Sequence, residues 1–217
     1  MKNTFDTIVV GAGMSGGWAA KEFTEKGFKT LLLERGPNIE HISDYPTSNL
    51  QPWELKHRGR LTAQEIKENP IASSCYAFRE DAKHFFVKDK DHPYNQIRPF
   101  DWIRGYQVGG KSIMWARQVQ RWSPYDFEGP ARDGFAVDWP IRYKDLADWY
   151  TYVERFVGVS GNKDGLDILP DGEFLKPWES NVVEEYFSQQ MKKFYKDRHV
   201  IYGRCAHLTE SKPIFVK

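Results

Sequence analysis

The chain has 217 residues, with 31 basic against 30 acidic side chains and a formal net charge of +1, which removes any bulk electrostatic reason to expect nucleic acid or an anionic membrane as the main partner. No apolar run approaches the 18 or so residues of a membrane span. Aromatics make up 15%, including eight Trp, enough for a large core or a substrate cleft, and the two cysteines, Cys75 and Cys205, form neither a disulfide framework nor a metal motif.

Thr7 to Gly36 reads as one unit: a short apolar strand TIVV, a glycine turn, a helix from about Ser15 to Lys26, and a second apolar strand from Lys29 to Leu33. Met1 to Thr7 carries one Lys and one Asp ahead of that first strand, so no secretory signal is read there and a cytoplasmic location is expected. Gly11, Gly13 and Gly16 fit G-x-G-x-x-G, and Glu34 lies 18 residues beyond Gly16, close to the spacing of about 20 for a ribose-binding acid. Each part has a physical task. Gly11 permits the tight turn, Gly13 admits a pyrophosphate, and Gly16 lets helix and strand pack closely. The helix N-terminus, with Met14 and Ser15 in its first turn, offers N–H groups and positive dipole to phosphates. The bland alternative is a strand-to-helix turn with no ligand. Trp18, Ala19 and Phe23 form an inward stripe, Gly27 stops the helix, and the second strand has the pattern of a buried parallel strand joined by a right-handed crossover.

From 37 to 99 six prolines break the regularity. Thr62 and Glu65 form a capping box that predicts a helix over Thr62 to Asn69, and Phe85 to Val87 predicts a short strand. Arg104 to Trp122 brings the next signal, with Gly109-Gly110 able to approach a ligand and Ser112 at an expected helix start. Further on, Asp145 opens a helix whose stripe of Leu146, Trp149, Tyr150, Val153 and Phe156 is expected in the core, with Gly158 ending it. A loop follows over Gly161 to Pro177, then an amphipathic helix over Asn181 to Tyr195 with Val182, Val183, Tyr186, Phe187, Met191 and Phe194, and a strand over His199 to Tyr202. The last residues, AHLTESKPIFVK, hold no closing element.

The ordered motifs VVGAGMSGGWAAKEF…LLLERG, RG-x-x-VGG-x-S-x-x-W and W-P-I-x-Y-x-D-L resemble the N-terminal portion of the glucose-methanol-choline (GMC) flavoprotein oxidoreductases, in their bacterial sugar dehydrogenase branch. The resemblance implies an α/β, Rossmann-like FAD-binding fold that is incomplete here, with an N-terminal FAD-binding portion over 1–160, irregular over 37–99, and the start of an α+β substrate domain over 161–217. It implies FAD-dependent oxidation of a sugar or polyol CH–OH group. The glycine turn would hold the FAD pyrophosphate, Glu34 the adenosine ribose, and Arg35 would lie over the adenine. An Arg in that position also raises the 2′-phosphate of NADP, which Glu34 would repel. Val108, Gly109, Gly110 and Ser112 would run beside the flavin and its phosphates, with Arg104 just before them and Trp115 just after. Pyranose oxidases, nearby in the family, carry a flavin-bonded His before that Trp. Met114 stands there instead, so non-covalent FAD is expected. The family's catalytic His and its partner His or Asn fall near the end of a much longer chain, so they are expected beyond Lys217. None of the six His residues present has the matching context. The resemblance also implies a small subunit, able to carry the chain to the periplasm, and a quinone or cytochrome acceptor. Two other readings remain: a nicotinamide-dependent Rossmann oxidoreductase, and a non-catalytic flavin-binding subunit that needs a second chain.

Overall fold

β1 (Thr7–Val10) and β2 (Thr30–Leu33) pair in parallel, with Thr7 opposite Thr30 and Val10 opposite Leu33, and α1 (Met14–Glu25) connects them and packs on both. These elements belong to a computed structural model that describes residues 4–211. The expected strand–turn–helix–strand unit is therefore present, with each boundary within a residue of expectation. The stop of α1 follows from its sequence. Gly27 adopts φ +87°, its N–H donates to the Thr24 carbonyl, and the Phe28 N–H reaches back to Phe23. That is a Schellman closure, and its usual apolar contact is made by the Phe23 and Phe28 rings at 5.8 Å.

The described chain divides into two compact units between Trp115 and Ala116. β3 (Val159–Ser160) pairs antiparallel with β4 (Cys205–Ala206) and bridges to Leu175, so residues on both sides of 160 are stitched together.

In the first unit the buried core is Ala72, Phe78 and Phe86, with Leu61, Ala82, Ile103 and Met114 packed around it. It lies within the irregular stretch rather than in the βαβ unit. α2 (Ala63–Glu68) forms as its capping box dictates: the Glu65 N–H donates to the Thr62 hydroxyl, and the Glu65 carboxylate accepts from the Thr62 N–H. The strand expected at Phe85 to Val87 does not form. A 3-10 turn covers Lys83–Phe85, and Val87 donates to the Arg104 carbonyl as an isolated bond. Two aromatic rings and a valine are β-formers by propensity, but burial of Phe85 and Phe86 at a turn satisfies them equally well.

The second unit holds α3 (Pro124–Asp133), α4 (Tyr143–Val157) and α5 (Val182–Phe194) with the β3–β4 pair. α3 was not anticipated, although Ser123, Pro124 and Asp126 spell a capping box with Pro at the first helical position. Gly158 caps α4 in the left-handed region, as expected, and Asn181, which opened the expected helix range, is the N-cap of α5. The strand expected at His199 to Tyr202 is absent; pairing is confined to Cys205–Ala206.

Burial departs from the periodicity. Trp149 and Phe156 on α4 are exposed, and its buried residue is Glu154. On α5, Val182, Val183, Tyr186, Phe187 and Phe194 all face solvent. Leu32, Leu33 and Phe23 are exposed as well, and in β1 Val9 is buried while Val10 is 81% exposed. The 3.6 and 2.0 periods reported which residues share a face, and not whether that face has a partner in this chain.

Candidate functional site

The site is built where the first glycine turn, the end of β2 and the second glycine segment converge. β1 ends at Val10, and Gly11 turns the chain with φ +94° while its N–H donates to the Leu33 carbonyl at 2.7 Å. Gly16 faces back onto this turn. A Cβ there would run into the Gly11 carbonyl oxygen, so only glycine lets α1 start so close to β1. Gly13 is the opposite case, because a Cβ there would meet nothing within 4 Å. Gly13 is also the N-cap of α1, and no side chain caps the helix. Met14, Ser15 and Gly16 thus place first-turn N–H groups at an uncapped end that carries no acidic side chain.

Glu34 ties the second strand to that turn. One carboxylate oxygen accepts the Ala12 N–H at 2.6 Å, and the other accepts the N–H groups of Arg35 at 2.8 Å and Gly36 at 3.0 Å. The Ala12 bond, then that of Gly36, hold the carboxyl below the ordinary carboxylate range, so Glu34 is ionised at neutral pH. Three of its roughly four acceptor positions are occupied, which leaves capacity for a ligand hydroxyl. Arg35 is exposed and its guanidinium lies 3.7 Å from the centroid of the Tyr106 ring.

The second glycine segment is stitched onto the first. The Gly109 N–H donates to the Ala12 carbonyl at 3.0 Å, and the Val108 N–H to the Pro37 carbonyl at 3.0 Å. Gly109 and Gly110 both have positive φ, and a Cβ on Gly110 would lie 3.2 Å from the Gly13 Cα. Gly110 starts a 3-10 turn through Ile113. Ser112 does not cap that turn as expected. It sits inside it and its hydroxyl bonds the Gly109 carbonyl, the local backbone competition to which serine is prone.

Arg104 is buried, donating to the His92 carbonyl at 2.5 Å and the Tyr106 hydroxyl at 3.2 Å, with Trp102 and Tyr94 rings about it. Its Nε is buried without a hydrogen-bond partner. Trp115, with Met114, Tyr45, Leu50, Arg79 and Phe85, borders a cavity of about 450 Å³. Among the described residues no cluster of three or more His, Cys, Asp or Glu is placed to hold a metal ion, and no helix is long and apolar enough to cross a membrane. Sequence reasoning missed Tyr106, which the spacing of R-G-x-x-V-G-G already placed between two motif positions.

Of the thirteen residues named from the sequence, Gly11, Gly13, Met14, Ser15, Gly16, Glu34, Arg35, Val108, Gly109, Gly110 and Ser112 gather around this junction. Arg104 and Trp115 flank it, on the core side and the cavity side. The fit to a dinucleotide rests on three features of the site: the open face over Gly13, the uncapped helix start, and the ionised acid beside them.

No family model matches the chain. It is 28% identical over 180 residues to the fructose dehydrogenase large subunit of Gluconobacter japonicus, covering 80% of this chain and 30% of that one. It is 27% identical over 159 residues to the 2-methyl-1,2-propanediol dehydrogenase of Mycolicibacterium austroafricanum, covering 72% and 25%. Against the gluconate 2-dehydrogenase flavoprotein of Pantoea cypripedii it is 26% identical over 169 residues, covering 72% and 26%. The matched region thus spans between a quarter and a third of the length of these relatives. The pyridoxine 4-oxidase of Mesorbium loti superposes with a TM-score of 0.33 at 21% identity, over 59% of this chain and 21% of that one, too loosely to bear on the fold.

Proposed function

We propose, from this chain's kinship with the glucose-methanol-choline flavoprotein oxidoreductases, that it supplies the dinucleotide cradle of an FAD-dependent dehydrogenase acting on a sugar or polyol CH–OH group. In that reading the chain carries the N-terminal part of an incomplete Rossmann-like FAD fold, and the relatives named for fructose and gluconate suggest the substrate class. The observation that carries it is the junction itself: Glu34 on the Ala12 N–H, with Gly109 and Gly110 laid against the same turn.

FAD, when bound, supplies the acceptor for a hydride from the alcohol carbon. The chain's own residues bind and orient it. The first-turn N–H groups at Met14 to Gly16 would neutralise the pyrophosphate, helped by the dipole of α1. Glu34 would accept from the ribose hydroxyls with its remaining lone pair, and its charge disfavours a 2′-phosphate, which counts against a nicotinamide phosphate cofactor. Val108, Gly109, Gly110 and Ser112 would pass beside the phosphates and flavin, with Trp115 closing the cavity side. Met114 packs on the Phe78–Phe86 core and offers no imidazole for a covalent flavin bond, so the flavin would be held non-covalently. No residue here is assigned the general-base role. His84 is held by the Asp44 carbonyl and packs tilted against Phe85, and His92 lies edge-on to Tyr106.

The exposed apolar faces of β1, β2 and α5 favour a second reading, in which this chain binds flavin and a second polypeptide completes the catalytic apparatus. A relative named as a large subunit is consistent with a small partner subunit, and a quinone or cytochrome would then take the electrons. Titration of the purified chain with FAD tests the core proposal. Saturable, stoichiometric quenching of flavin fluorescence, with the flavin released on acid precipitation, is expected. Quenching by NADH and not by FAD would overturn it. Dye reduction with sugars only after a partner is added would select the second reading.

A further inference from the structure

Tyr106 lies inside the R-G-x-x-V-G-G segment, and neither the spacing nor the resemblance gave it a role. Its backbone is locked against the ribose-acid end of β2. A Cβ on Gly36 would run into the Tyr106 carbonyl, and two residues on the Val108 N–H bonds Pro37. Its ring is held from one side by buried Arg104, which donates to the phenol oxygen at 3.2 Å, and the His92 ring sits edge-on at 5.4 Å. Arg35 lies over this ring with its guanidinium carbon 3.7 Å from the centroid, a close cation–π contact. The Arg35 N–H is in turn fixed by Glu34. The result is a guanidinium seated over the Tyr106 ring, on an exposed residue whose backbone is tied to an ionised carboxylate.

We infer that Tyr106 is a positioning residue for the adenine end of the dinucleotide: it holds Arg35 flat, and the free face of that guanidinium is the platform on which the adenine stacks. The inference rests on the dinucleotide reading above. Left mobile, an arginine next to Glu34 would swing to pair with the carboxylate or with a phosphate. Stacked on Tyr106, it presents a π face to a base, while the neighbouring negative charge discourages a phosphate. Fixing the platform in advance avoids the cost of ordering a long side chain on binding.

The test uses ADP binding to the intact 217-residue chain by calorimetry, with adenosine 2′,5′-bisphosphate and inorganic pyrophosphate as companion probes. Tyr106→Ala is expected to weaken ADP about tenfold and to leave pyrophosphate unchanged. Tyr106→Phe and Tyr106→Trp, which keep the stacking face, are expected to restore ADP affinity to within about twofold. Arg35→Ala, at an exposed position, should reproduce the Tyr106→Ala loss. Equal ADP affinity in the parent, Tyr106→Ala and Arg35→Ala chains would overturn the inference while leaving the FAD reading intact. Tighter binding of the 2′-phosphorylated probe than of ADP would also overturn it, since Arg35 would then be gripping a phosphate. A parent chain that binds neither ADP nor FAD would remove both readings together.

Discussion

Glu34 does at the residue scale what the strand-helix geometry alone does not. Its three backbone bonds join the glycine turn to the end of β2, so one carboxylate braces the turn and also gives it a negative charge. Charge-assisted bonds of this kind are worth roughly 1.5–3 kcal/mol each. Glu34→Gln keeps the shape, removes the charge and sets an amide N–H₂ against one of the backbone donors. The FAD dissociation constant is expected to rise at least about tenfold, with preference against the 2′-phosphorylated adenosine probe reduced. Unchanged flavin affinity by fluorescence quenching would show that the acid only braces the loop. This residue was legible in the sequence because a strand end at a set distance from a glycine turn can be read from spacing. The role of Ser112 was not, since a serine hydroxyl chooses between capping and its own turn on a difference of ångströms.

At the scale of elements, α2 offers the clearest link from local chemistry to pH. Lys83 bonds the Glu65 carboxylate, and the Thr62 N–H and hydroxyl add to it, lowering the carboxyl from its ordinary 4.5 to about 2. Because the folded value is depressed, the stabilisation is complete above about 4.5 and is lost as pH falls from there toward about 2. Hydrogen exchange followed through that window should show the Thr62–Glu68 segment loosening on acidification. Glu65→Gln should flatten that dependence, and an unchanged acid profile in the variant would assign it to other carboxylates. The same cap was read from Thr62 and Glu65 alone, since capping is decided within four residues. By contrast Phe85 to Val87 failed as a strand. A strand needs a partner edge, and a partner edge is a non-local fact.

Across the whole molecule the second unit is pinned by a buried ion pair that no motif announced. Arg121 and Glu154 are both nearly inaccessible, joined by two bonds of 2.8 and 2.6 Å, and Thr151 and Tyr143 accept two further guanidinium N–H groups. Glu154 also accepts the Glu173 N–H, so the pair links the α3 approach, α4 and the loop that follows β3. Removing one partner leaves a charge buried without compensation, at a cost of about 3–5 kcal/mol. Glu154→Gln should therefore lower the urea midpoint of the second unit sharply, and Arg121→Met with Glu154→Leu should cost less than that single change. A double variant as damaged as the single would mean the pair is essential to packing, not only to charge balance.

The amino-acid sequence by itself determined the features that arise within a few residues or along one strand–turn–helix–strand unit: the glycine turn, the capping boxes, the Schellman stop at Gly27, and the placing of Glu34 at a strand end. It also marked both halves of the cradle, because each is a glycine-bearing turn with its own local signature. Only the tertiary structure decided that Gly109 and Gly110 lie against the first turn, that Tyr106 rather than open solvent underlies Arg35, and that Glu154 rather than Trp149 or Phe156 is the buried residue of α4. Periodicity says which side chains share a face. What that face meets depends on chain far away in sequence, and so do burial, long-range charge pairing and the closing of a site.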